Sequence, residues 1–245
     1  MTHSNQLYQP IYTLKPFAEN VFIVDGQTVD FYGLPFTTRM TVVKLTGGDL
    51  FIHSPIPLKQ DLKEELDKLG RVKYLIAPNK IHYWYLDRFQ KAYPEAITFA
   101  AKGVKDRAKQ YGKNFMVDYV IEDAKNEFWS NEIDHVIMHG NRFMEEVEFY
   151  HKPSKTLILT DIYENFEPHK IGLPFRILAW LGGALSPKGG TTRDQQLLYS
   201  GHKKELQKSI EKLKSWDTQK IILAHGKCIT ENAKLDLERV FGWVR

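Results

Sequence analysis

The chain has little sulfur chemistry to offer. One cysteine, Cys228, among 245 residues excludes an internal disulfide framework and any cysteine-rich zinc or iron–sulfur site. Long apolar runs are also missing. The longest, Leu173 to Leu185, is broken by Pro174 and Arg176 and is too short to cross a bilayer. Met1 to Pro10 lacks an apolar core, so no signal peptide is read there. Charge of one sign does not dominate: 34 Lys and Arg against 30 Asp and Glu leave +4, too mild to argue for a nucleic-acid partner. A single thiol and no export signal give a cytoplasmic address as the expectation, with no membrane span.

What is present is core material: 42% hydrophobic residues, 13% aromatics and 5 Trp. The length suits one α/β domain over 1–245. Val21–Val24 is a short apolar run closed by the turn pair Asp25-Gly26, and Arg39 to Leu45 alternates. Gly47-Gly48 is a hairpin signal, with Leu50-Phe51-Ile52 as the return strand. The rhythm then changes. Leu58, Leu62, Leu66 and Leu69 stand at helical spacing and Gly70 closes that helix. Strands at Val72–Ile76 and Ala96–Ala101 alternate with helices at Tyr83–Tyr93 and Lys102–Gln110, which calls for helices packed on a sheet. Strands return at Ile133–Met138, Val147–Tyr150 and Thr156–Thr160. A long amphipathic helix over Gln195–Lys214, a strand at Lys220–Ala224 and a helix from Thr230 to Val240 complete the chain. Between about 165 and 200 lies an irregular excursion, with Pro168, Pro174, Pro187 and five glycines around an apolar patch. It reads as a segment packed on the domain, with a lid or a partner surface as the alternative.

Several apolar strands run into a group able to bind metal. The strand at Val72–Ile76 leads to His82, Thr156–Thr160 to Asp161, Ile221–Ala224 to His225, Val136–Met138 to His139, and Phe51-Ile52 to His53. In open α/β sheets, side chains beyond the carboxyl ends of strands converge on a ligand crevice. Two imidazoles and a carboxylate make a first shell for zinc, iron or manganese with positions left for water or substrate. Each residue alone is commonly structural, because loops need polar groups to satisfy the backbone. Their joint occurrence is the signal.

The segments Arg39-Met40-Thr41-Val42-Val43, Leu50-Phe51-Ile52-His53-Ser54-Pro55, Ala77-Pro78-Asn79-Lys80-Ile81-His82, Ser154-Lys155-Thr156-Leu157-Ile158-Leu159-Thr160-Asp161 and Ala224-His225-Gly226 resemble the metallo-β-lactamase superfamily. More narrowly, the chain looks like an uncharacterised branch of it, a domain of unknown function. The resemblance implies a single α/β domain with the four-layer αββα sandwich and metal at one edge of its two sheets. The superfamily's His-x-His-x-Asp-His motif falls on Ala77 to His82, where only His82 matches; Ala77, Asn79 and Ile81 stand at the other ligand positions. Asp161 matches the metal-bridging carboxylate and His225 the late histidine. His139 lies in the region of the remaining histidine without its usual turn. The resemblance therefore implies at most one divalent ion, on His82, Asp161 and His225 with His139 as a candidate fourth ligand. Zinc is favoured over iron or manganese, and a chain holding no metal is the alternative. With the motif's Asp lost, affinity is expected to be weaker than in intact relatives.

Other residues near the motif have milder readings. Lys80 and Tyr83 are surface residues or contacts for an anionic substrate. Glu145 and Glu146 form a solvated loop pair or supply a general base. His53 and Ser54 enter a hydrogen-bond network, but adjacent strand residues point to opposite faces and make a poor nucleophile pair. Cys228 is structural or mildly activated by Lys227. The Lys-rich helices are solvated faces. Three functions compete: a mononuclear metal-dependent hydrolase of an ester, lactone, amide or phosphoester; a degenerate member that binds a small molecule or protein; and a non-haem iron oxidoreductase.

Overall fold

The alternation of strand and helix signals resolves into two sheets in a computed structural model that describes residues 7–244. The first sheet has seven strands in chain order: β1 (Lys15–Ala18), β2 (Val21–Phe31), β3 (Leu34–Lys44), β4 (Asp49–His53), β5 (Arg71–Ala77), β6 (Ile97–Ala100) and β7 (Tyr119–Val120). It begins as an antiparallel meander and turns parallel from β4 onward. The parallel part needs crossovers, supplied by α1 (Gln60–Leu69), α2 (Leu86–Ala92) and α3 (Val104–Gln110). The second sheet has four strands: β8 (Ile133–Met138), β9 (Glu146–His151), β10 (Thr156–Leu159) and β11 (Lys220–Leu223), in the order β11-β10-β9-β8. The remaining helices are α4 (Leu173–Gly182), α5 (Arg193–Leu198), α6 (Lys203–Ser215) and α7 (Ala233–Val240).

Strand periodicity assigns the layers. On β8, Ile133 and Ile137 face the first sheet, and on β9 Val147 and Phe149 do the same. Val136, Met138, Leu157, Leu159, Ile221 and Leu223 point the other way, onto Leu206, Ile210 and Leu213 of α6 and Leu237 and Val240 of α7. On the outside of the first sheet, Leu62 and Leu66 of α1, Leu86 and Phe89 of α2 and Val104 of α3 join the main core. Each such buried side chain contributes roughly 1.5–3 kcal/mol of hydrophobic stabilisation. Helices cover both outer faces of two stacked sheets, which is the expected αββα sandwich.

Three local expectations are corrected. β2 does not stop at Asp25-Gly26. It continues to Phe31 past a register shift between Asp25 and Thr28, and the chain reverses at Tyr32-Gly33. Both turn residues have positive φ, 52° and 82°, as a two-residue hairpin requires. Gly26 sits in that shift because a Cβ there would lie 2.4 Å from the Thr38 hydroxyl. The long helix over Gln195–Lys214 is two helices, α5 and α6, parted at Gly201 with φ 88°. The segment from 165 to 200 carries two regular helices, α4 of ten residues and α5 of six.

Candidate metal centre

β10 and β11 are parallel neighbours, with Leu159 paired to Leu223. Asp161 and His225 each follow two residues later, so parallel register alone brings them side by side beyond the strand ends. His82 arrives from the loop after β5, which crosses to the second sheet where Val147 N–H donates to the Pro78 carbonyl at 2.9 Å. His82 Nε2 and His225 Nε2 each lie 3.2 Å from Asp161 Oδ1. Ligand atoms of the three residues fall within 4.8 Å of one another, and all three side chains are almost wholly buried.

The partners of the outer ring nitrogens orient both rings. His225 Nδ1 donates to the Thr37 carbonyl at 2.8 Å, which turns its Nε2 onto the carboxylate. His82 Nδ1 pairs with Ser54 Oγ at 2.6 Å, which holds its Nε2 toward Asp161. Two imidazole nitrogens on one carboxylate oxygen need positive charge between them, either a proton on the ring or a metal ion in its place. Outer-nitrogen bonding of this kind orients metal-ligating histidines. A separation of 3.2 Å also matches the edge of a tetrahedron whose metal–ligand bonds are about 2.0–2.1 Å. The donor set therefore fits a divalent ion.

Electrostatics keep the carboxylate charged. Burial alone favours a neutral Asp161, yet the His82 and His225 rings hold its carboxyl well below the usual carboxylate range. Burial alone lowers the pKa of His82, but the Asp161 charge outweighs it and the net direction is upward.

Sequence reasoning missed the support around these residues. Asn79 Nδ2 donates to Glu146 Oε2 at 2.7 Å and Asp161 Oδ2 at 2.8 Å, while its Oδ1 accepts the N–H groups of Ile81 and His82 at 2.9 Å. Glu146 is not a solvated loop residue. It is buried and also accepts from Asp161 N–H at 3.1 Å and Ile162 N–H at 3.0 Å. Ser54 turns its hydroxyl to His82 from a left-handed backbone, φ 55°, that few non-glycine residues adopt. Arg39, wholly enclosed, binds Asp25 and the carbonyls of Leu223 and Gly226 that flank His225. The alternation of β3 places a charged residue inside at Arg39, which was the one available signal.

His139 stands apart from this cluster. Its Nδ1 faces Glu145 at 2.6 Å and its Nε2 faces Asp123 at 3.0 Å. Burial alone lowers its pKa, but the two carboxylates more than offset that and raise it. A ring donating from both nitrogens has no lone pair for a metal. Lys80 Nζ donates to the Phe143 carbonyl, and Cys228 Sγ rests 3.2 Å from Arg39.

The cluster lies in the wall of a cavity of about 900 Å³, lined also by Ser54, Glu164, Phe36, Phe166, Phe175 and Leu178. Burial, and then the charges of Asp161, Asp194 and Glu146, push the Glu164 carboxyl well above its usual range.

A sequence profile described as Domain of unknown function (DUF4336) matches residues 19–171, more than half of the chain. The protein belongs to that family. No curated protein matches its sequence. The fold is that of metallo-β-lactamases. A metallo-β-lactamase from Pontibacter korlensis is 12% identical, over 98% of this chain and 99% of that one, with a TM-score of 0.64. The enzyme from Hirschia baltica is 13% identical over 95% and 97%, with a TM-score of 0.65. The metal-soaked flavodiiron core from Synechocystis sp. PCC6803 is 10% identical over 95% of this chain and 60% of its own, at 0.60. At these identities the likeness shows architecture. For this DUF4336 protein the chemistry has to be argued from its own residues.

Proposed function

We propose that the protein is a mononuclear metal-dependent hydrolase acting on an ester, lactone, amide or phosphoester, within a single domain spanning 1–245. His82, Asp161 and His225 hold one divalent ion, with zinc the best match to two imidazoles and a carboxylate. The observation that carries this reading is the pair of histidine Nε2 atoms, each 3.2 Å from one buried carboxylate oxygen and each ring held by a partner on its other nitrogen. With zinc held by these three residues, the site would gain Lewis-acid chemistry: polarisation of a substrate carbonyl or phosphoryl group and a lowered pKa for water. Thr37 and Ser54 fix the two rings. Asn79 and Glu146 hold Asp161 and fill with hydrogen bonds the region where the superfamily motif would offer further histidines. Glu164, facing the cavity with an elevated pKa, is placed to hold a proton for a leaving group.

A second reading, a binding module without turnover, is favoured by the donorless Ala77 and Ile81 and the neutral Asn79 at motif positions. Chelator-stripped protein assayed on a panel of esters, lactones, amides and phosphoesters separates the two. Hydrolysis restored by stoichiometric zinc and lost in His225→Ala supports the enzyme. Tight zinc uptake without turnover of any substrate supports the module, and activity restored by ferrous iron alone points to iron chemistry.

A further inference from the structure

α4 is apolar on both sides. Phe175 and Ala179 face inward and pack with Phe36 and Phe166. Leu173, Ile177, Trp180 and Leu181, spaced i, i+4, i+7, i+8, form an outward stripe that no described residue covers; Leu173 is 64% and Trp180 65% exposed. Leu178, half exposed, joins that stripe to the cavity wall. Phe31 and Tyr32, at the tip of the β2–β3 hairpin, also line the cavity, and Tyr32 is 84% exposed. Exposed apolar side chains therefore stand on α4 and on the hairpin tip, and Phe31, Tyr32 and Leu178 carry them to the cavity that holds His82, Asp161 and His225.

Charge says what covers it. From Pro168 to Lys188 there is no Asp or Glu, while Lys170, Arg176 and Lys188 are cationic. A helix that is apolar all round belongs in a core or in lipid, and Trp and Tyr are the aromatics of bilayer interfaces. Two copies meeting through this face set cation against cation. A folded partner seated there closes the mouth of the cavity.

We propose that α4 and the Phe31–Tyr32 tip dock on an anionic lipid surface, with the cavity mouth held against the bilayer. Cations flanking an apolar helix add electrostatic attraction to apolar insertion. For one consequence the inference rests on the hydrolase reading: the substrate is then an amphiphile whose acyl or other apolar chain enters from the membrane along Leu178.

Flotation with phosphatidylcholine vesicles, with and without phosphatidylglycerol, tests the docking without any activity assay. The protein is expected to float with the anionic vesicles, less so as salt rises. Brominated acyl chains are expected to quench Trp fluorescence, and Trp180→Ser to remove that quenching. The triple variant Leu178→Ser, Trp180→Ser, Leu181→Ser, changing exposed positions, is expected to keep its melting temperature. Its partitioning is expected to fall on the order of tenfold or more. No flotation at low salt, or flotation unchanged in the triple variant, overturns the proposal. So does a dimer in light scattering that the same variant dissolves, since a second copy is then the occupant. Chelator-stripped protein is expected to float equally, so failure of the metal reading leaves this result standing.

Discussion

Asn79 shows how one side chain organises the centre. It gives both amide hydrogens to carboxylates and takes two backbone N–H groups on its oxygen. Asn79→Ala takes one hydrogen bond from buried Glu146 and the one on Asp161 Oδ2, loosening the carboxylate. Zinc affinity is expected to fall about 10–100-fold and stability by about 1–3 kcal/mol, read by competitive zinc titration and urea unfolding. Away from the centre, His151 is buried with Nε2 unpartnered, and burial depresses its pKa from 6.5 to about 4. Its unfolded state takes up a proton first as pH falls. The stability it contributes is whole above about pH 6.5 and is lost progressively toward pH 4, on the order of 3 kcal/mol in all. His151→Gln is expected to flatten the pH dependence of the urea midpoint over that window. Residues with their own local signature were legible in the sequence: His82, Asp161 and His225 each follow an apolar strand. Glu146 was not, because its partners come from other elements and nothing beside it in the chain marks it as buried.

At the scale of elements, the second sheet delivers two of the three site residues by register, and Arg39 ties β3 to the turn that carries one of them, His225. Its guanidinium holds Asp25 at 2.7 Å and the Gly226 carbonyl at 2.9 Å. Arg39→Met leaves buried Asp25 with Lys15 alone, a loss of about 3–5 kcal/mol. It also frees the His225 turn, so metal retention is expected to drop even under conditions where circular dichroism shows the variant folded. Gly226 belongs to the same device: its φ is 92°, and a Cβ would meet the Asn165 carbonyl oxygen at 2.1 Å. The strand positions were readable from periodicity, and the helix ends less so. β2 was cut short because Asp25-Gly26 reads locally as a turn, whereas Arg39 and Lys15 neutralise Asp25 and Thr38 approaches the glycine closely. The break between α5 and α6 hides in an unbroken amphipathic pattern, with Gly201 as its single mark.

For the whole molecule, two sheets with helices outside leave their strand ends at one edge, and that edge gathers residues 82, 161 and 225 into the wall of one cavity. The strands ending in His82, Asp161 and His225 were readable along the chain, and the sandwich that gathers them was what the resemblance to metallo-β-lactamases implied. The surroundings of the cavity are another matter: α4 carries an apolar stripe whose exposure no periodicity argument distinguishes from burial. Among the described residues no helix is long and apolar enough to cross a membrane. The central claim, one cation on three residues, is tested most directly by counting metal. Elemental analysis of protein equilibrated with zinc and then desalted is expected to give one equivalent in the native chain. Near zero is expected in each of His82→Ala, Asp161→Asn and His225→Ala, and one equivalent in His139→Ala. Retention unchanged in all three variants, or two equivalents in the native chain, contradicts the account.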